Sequence, residues 1–190
     1  MRGPLKTQII DSAEKMFFNN GYKGTSLQEI ADSMQIKPAS LYYHFPGGKE
    51  EIYVEVLRNR LDQYREQVQA MKQNCADLET FLKSFAHWYI LQPPMNMSLI
   101  SQMDMPHLSP LAKQTVMQLV STSIFAPLRE TMAQSSDKIK AFELTRLVGI
   151  YISLLNGMSL ATKQGYTDPK NIVEDFIEMM MRGILKSPEA

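Results

Sequence analysis

Between Thr25 and Phe45 the chain reads TSLQEIADSMQIKPASLYYHF, and no other stretch restricts the possible folds as much. It divides into two short helical segments. Ser26 with Glu29 three residues on forms a capping box, and Thr25 with Gln28 offers the same pattern one position earlier. Leu27, Ile30, Ala31 and Met34 then recur at helical spacing and make one apolar face. The second segment opens at Lys37-Pro38, where a proline fits because the first N–H of a helix has no partner anyway. It runs through Ala39, Ser40, Leu41, Tyr42, Tyr43, His44 and Phe45 and stops at Pro46-Gly47-Gly48. Helices this short need support, and residues 5–19 provide it with Leu5, Ile9, Ala13, Met16 and Phe17, closed by Gly21 as a C-cap. Three short helices with a tight turn before the last form a helix-turn-helix, which sets its final helix in the major groove of DNA.

GYKGTSLQEIADSM followed by SLYYHFPGGKEEIY resembles the amino-terminal DNA-binding domain of TetR-family transcriptional regulators, over residues about 5–57. The resemblance implies roles that the chemistry permits. Tyr42, Tyr43 and His44 would reach phosphates, sugars or a thymine methyl from the end of the recognition helix. Lys37, Pro38, Ala39 and Ser40 would form its base-facing first turn. Thr25 and Ser26 start the preceding helix, whose N–H groups suit a phosphate, and Lys49 would clamp another. Adjacent helix positions lie about 100° apart, so one of the two tyrosines is expected in the core, as are Leu41 and Phe45. Lys49-Glu50-Glu51 also fits an ordinary solvated first turn. Two positions depart from the family pattern: Gln35 stands where glycine is common in the turn, and Lys37 where a small hydroxyl cap is common.

Composition excludes several classes. One cysteine, Cys75, precludes an internal disulfide framework and fits a reducing cytoplasm. Nothing at the amino terminus reads as a signal peptide, and the apolar stretch Leu147–Ala161 is too short to span a bilayer. Three scattered histidines, no glycine-rich phosphate loop and no metal-spaced ligand set argue against an enzyme, and no cofactor or metal is expected. Residues 1–60 carry eight basic and seven acidic side chains, residues 61–190 twelve and thirteen. So few cations imply a shallow salt dependence and a need for two half-sites, hence a dimer.

The fold expected is all-α with about nine helices: a DNA-binding head over residues 1–48 and a helical effector-binding and dimerisation domain over 49–190. After Gly48 the periodicity predicts helices over about 49–73, 77–91, 97–103, 109–133 with a kink at Pro127, 137–164 and 168–186. On the helix expected from Asp137, Gly149, Ser153, Gly157 and Ala161 form a stripe of small residues. Interior glycines cost about 0.5–1 kcal/mol each, so close approach of another helix is expected there. With Phe176 and Met180 on the last helix, the stripe is expected to form a two-fold interface between two copies, as the resemblance also implies. Large apolar side chains in the middle helices are expected to line an effector cavity, among them Phe85, Trp88, Tyr89, Met97, Met103, Met117 and Phe125. His87, Asn96, Gln102 and His107 are its candidate polar anchors.

These features together predict a homodimeric, cytoplasmic regulator that binds a double-stranded DNA operator. A small apolar or aromatic effector would release it by favouring a different spacing of the heads. The sequence leaves two alternatives open: a DNA-binding activator, and a helical interaction protein whose head binds a protein partner.

Overall fold

The computed structural model describes residues 4–92, 100–135 and 139–184. Among these, nine α-helices succeed one another: α1 (Pro4–Asn20), α2 (Leu27–Ser33), α3 (Pro38–His44), α4 (Gly48–Asn74), α5 (Leu78–Leu91), α6 (Pro110–Val120), α7 (Ala126–Ala133), α8 (Leu144–Lys163) and α9 (Pro169–Ile184). The fold is all-α, as expected.

Chain chemistry sets most boundaries. Ser26 Oγ accepts from the Glu29 N–H at 3.2 Å, and Glu29 Oε2 accepts from the Ser26 N–H at 2.7 Å, the reciprocal box read from the sequence. Gly21 and Gly165 come just after α1 and α8 at φ +72° and +75°, where a side chain would be strained. Asp168 Oδ1 accepts from the N–H groups of Lys170 and Asn171 at 2.8 and 3.1 Å and so starts α9.

Three expected helices come out differently. Residues 97–99 of the expected 97–103 helix lie outside the described residues, and the chain beyond them forms a π turn at Ile100–Asp104 and a 3-10 turn at Met105–His107. Pro106 has no N–H to donate back, so an α-helix cannot continue through it. The expected 109–133 helix is α6 and α7 separated by a π turn at Ser121–Phe125, because Pro127 cannot donate to the carbonyl four residues earlier. The helix expected from Asp137 begins at Leu144: Glu143 accepts from the N–H groups of Thr145 and Arg146, at 2.8 and 2.7 Å. Ahead of it, the Lys140 N–H donates to the Ile184 carbonyl at 2.7 Å.

Compactness groups the residues into two units, Met1–Gln63 with Met95–Val120, and Tyr64–Pro94 with Ser121–Ala190. In the first, Ile9, Ala13, Phe17, Ile30, Leu41 and Phe45 are buried, together with Ile52, Tyr53, Val56 and Leu57 of α4. Each large side chain so buried contributes about 1.5–3 kcal/mol, enough to hold three short helices that would not persist alone. In the second, α8 packs on α5, α7 and α9 around Phe81, Leu82, Phe85, Tyr151, Leu155 and Val173. The 20-residue α8 is longer than its apolar stretch suggests, and by length and composition it could cross a membrane. Seven of its residues are buried against its neighbours, so one face of it belongs to the core.

Candidate nucleic-acid interface

The recognition helix is anchored from beneath and open above. Leu41 and Phe45, four residues apart, are 1 % and 0 % exposed and fix α3 on the head. The opposite side presents Lys37, Ala39, Tyr42 and Tyr43 to solvent, with Pro38, Ser40 and His44 half-buried at its margins. Neither tyrosine is core: Tyr42 is 53 % and Tyr43 83 % exposed. Tyr42 has a neighbour instead of a burial site, since a Cβ on Gly48 would come 3.3 Å from its ring. The Tyr43 and His44 rings meet edge to face at 5.1 Å, which limits the directions in which both can point.

The turn before α3 holds Gln35 at φ +56°, the only non-glycine positive φ among the described residues. Here the departure from the usual glycine shows as strain of about 1 kcal/mol. Lys37 is the N-cap of α3 and makes no side-chain cap bond, so its ammonium is exposed beside the first turn.

At the start of α2 the expected phosphate cradle is partly occupied. The Glu29 carboxylate takes both the N–H and the hydroxyl of Ser26, at 2.7 and 2.8 Å, and so places negative charge where a phosphate would sit. Those bonds, chiefly the one from the Ser26 hydroxyl, hold the Glu29 carboxyl below the usual carboxylate range. Thr25 is 2 % exposed and its hydroxyl donates to the Gly21 carbonyl at 3.0 Å, so that side chain faces inward. Lys49 is likewise turned to the protein. Its Nζ donates to the carbonyls of Tyr22 and Thr25, both at 3.0 Å, and lies 4.2 Å above the Tyr22 ring. Desolvation there lowers the pKa of the ammonium. Lys49 therefore clips the α1–α2 corner to α4. Beside it, Lys23, Gly24 and Ser26 edge an open concavity of about 450 Å³.

The effector candidates are divided between the two units. Phe85 is fully buried, with ring centroids 5.9 Å from Trp88, 5.6 Å from Tyr89 and 6.0 Å from Tyr151. The Tyr89 hydroxyl donates to Asn156 Oδ1 at 2.8 Å, and burial pushes its pKa well up. Phe125 is half-buried in its π turn. Met103 and Met117 are 62 % and 65 % exposed, unsuited to the wall of a closed apolar cavity; on α6 the buried side is Ala112, Val116 and Leu119. Met97 and Asn96 lie outside the described residues. Of the other anchors, Gln102 and His107 are exposed, and His87 Nε2 lies 3.7 Å from Glu174 Oε1.

The small-residue stripe of α8 is not covered by the described residues. A Cβ on Gly149 or Gly157 would meet nothing within 4 Å, and Ser153 is exposed beside a half-buried Ala161. Ile150 and Leu154 are 52 % and 46 % exposed on the same helix. They edge an apolar groove of about 290 Å³ whose floor includes Phe176 and Met180 of α9.

Two carboxylates prove central to the head: Asp104, which no sequence pattern singles out, and Glu50, which the sequence also allowed in a solvated first turn. Asp104 is 7 % exposed and accepts from the Tyr22 N–H and the Tyr53 hydroxyl; Glu50 accepts from the N–H and hydroxyl of Ser109. The available signal was slight: an aspartate between two methionines, with Pro106 two residues on.

Residues 9–56 match the family described as "Bacterial regulatory proteins, tetR family". LmrA, an HTH-type transcriptional regulator of Bacillus subtilis, is 32 % identical over 88 residues, which cover 44 % of this chain and 47 % of LmrA. IcaR of Staphylococcus epidermidis, the negative transcriptional regulator of the biofilm operon icaADBC, is 49 % identical over 55 residues, 29 % of each chain. The chain thus spans half or less of the length of these curated relatives. The fold matches the Bacillus subtilis transcriptional regulator FadR, crystallised with stearoyl-CoA, at a TM-score of 0.72 and 16 % identity over 94 % of this chain and 98 % of that one. Over residues 9–56 the head is thus similar in sequence to the bacterial regulatory proteins of the tetR family, and the all-helical fold agrees with that of FadR.

Proposed function

We propose that the protein is a dimeric, DNA-binding transcriptional repressor that releases a palindromic operator when a lipophilic small molecule binds its helical domain. The observation that carries this reading is the exposed Tyr42-Tyr43 pair on a helix anchored by Leu41 and Phe45. Two adjacent aromatics left in water gain nothing for folding, whereas rings and hydroxyls placed there suit the sugar-phosphate edge of a major groove. In role, residues 1–48 read DNA and 49–190 dimerise and bind effector. Two copies would meet along the stripe of α8 and the apolar groove beside it, since the described residues leave those surfaces uncovered.

Repression is favoured by IcaR, a negative regulator by name, whose head this one resembles. A lipophilic effector is favoured by the aromatic cluster around Phe85, and a fatty acyl chain belongs to that class, as the stearoyl-CoA bound by FadR illustrates. A DNA-binding regulator of this kind acts in the cytoplasm. The test is fluorescence anisotropy of the purified protein on duplexes from the DNA flanking its own gene, with and without long-chain acyl-CoA or free fatty acid. Saturable binding that the ligand reverses is the expected result. Binding that the ligand strengthens would indicate an activator or corepressor arrangement, and no binding to any duplex would leave a protein-binding head.

A further inference from the structure

Asp104 lies in the π turn Ile100–Asp104 ahead of α6, and its carboxylate caps no helix of its own. It is 7 % exposed, and both oxygens are engaged elsewhere. Oδ1 accepts from the Tyr22 N–H at 2.8 Å, and Oδ2 accepts from the Tyr53 hydroxyl at 2.6 Å. Tyr22 belongs to the corner joining α1 to α2, where its ring packs on Phe17 and Tyr53 with centroids at 6.2 and 5.1 Å. A Cβ on Gly21 would come 3.2 Å from Oδ1, so the carboxylate sits directly against the backbone of this corner. A second carboxylate works in the opposite direction: Glu50 of α4 accepts from the Ser109 N–H and hydroxyl at 2.7 and 2.6 Å. The segment Asp104–Ser109 is thereby fastened at both ends to the elements that carry α3.

A buried carboxylate is a poor way to gain stability, because its desolvation costs about as much as its bonds return and an apolar isostere often does as well. It is a good way to fix geometry, because charge-assisted bonds of this length are directional. We propose that Asp104 is the positioning residue of the DNA-reading head, fixing the α1–α2 corner against α4 and so setting the angle at which α3 is presented. The proposal rests on the reading of the protein as a dimeric DNA-binding regulator. Met103–Met105 thereby lie one hydrogen bond from that corner, through Asp104 and the Tyr22 N–H.

The test uses the full chain and the variants Asp104→Leu, Asp104→Asn and Tyr53→Phe. Each is titrated against duplexes that carry two copies of the half-site the parent selects, with their spacing varied one base pair at a time. The parent should show one sharp optimum. Asp104→Leu loses both bonds and should bind about tenfold to a hundredfold more weakly at that optimum while hardly changing at neighbouring spacings, so its profile flattens. Asp104→Asn can still accept from Tyr22 and can donate to Tyr53, so it should stay close to the parent; Tyr53→Phe should fall between. A loss equal at all spacings, or a parent-like profile for Asp104→Leu, overturns the proposal. Should Asp104→Leu fail to fold, Tyr53→Phe decides, and an unchanged profile there overturns the proposal too. A parent that binds no duplex overturns the underlying reading, and this proposal with it.

Discussion

Tyr43, Lys49, Gln35 and Glu29 all fall between residues 29 and 49, yet each answers to a different physical effect. Tyr43 is 83 % exposed, so Tyr43→Ala should leave the thermal midpoint within about 1 °C and weaken operator binding at least about tenfold, read by anisotropy. A drop in both together would make the ring structural. Lys49→Ala removes the bonds to the Tyr22 and Thr25 carbonyls and the contact with the Tyr22 ring. It should cost about 1–2 kcal/mol and lower the melting temperature along with DNA affinity, which separates a structural clip from a phosphate clamp. Gln35→Gly relieves the strain at φ +56° and should stabilise the head by about 0.5–1 kcal/mol in a urea titration. Glu29 has a folded pKa below its unfolded one, chiefly through the Ser26 hydroxyl. Its contribution is therefore complete above the unfolded pKa and is lost as the pH falls through the depressed value. Unfolding monitored from pH 6 to pH 3 should show a stability step that Glu29→Gln shrinks, and an equal step in both proteins would assign the acid sensitivity elsewhere.

Among the elements, those with a cap written into the chain were legible in advance. The Ser26–Glu29 box, Gly21, Gly165 and Asp168-Pro169 each mark an end that local chemistry alone decides. So was the buried face of α4, where Ile52, Tyr53, Val56, Leu57, Leu61, Tyr64 and Val68 are all buried. The misplacements arose where contacts distant in sequence prevail. Periodicity extends α8 back to Asp137, but residue 140 pairs with the end of α9 and Glu143 caps the helix later. Spacing on α3 puts one tyrosine in the core because it cannot reveal that Leu41 and Phe45 already fill it. Asp104 was invisible because its partners, Tyr22 and Tyr53, are far away in sequence. At Gly157 of α8, an added Cβ meets nothing within 4 Å among the described residues. Gly157→Leu should therefore leave helix content unchanged by circular dichroism and shift the mass in solution from dimer to monomer. A dimer that survives would remove the stripe from the interface.

For the whole molecule the net charge is zero, and two cations at the head turn inward: Lys49 to carbonyls, and Lys6 to the Phe45 ring at 4.6 Å. Lys23 and Lys37 remain exposed near α2 and α3. A dimer engaging about two to four phosphates per head should show a log–log salt slope between about −4 and −7, and a much steeper slope would mean that other cations reach the duplex. On the proposed dimeric reading, specificity comes from two heads acting together. The measurement that tests this most directly is selection from a random duplex pool by the purified protein, with the mass of the complex determined on the enriched sequence. The account predicts an inverted repeat with half-site centres about 10–10.5 base pairs apart, or a multiple of that, carrying two heads for each repeat. A pool that yields no motif, or one unrepeated half-site held by a lone chain, would contradict it.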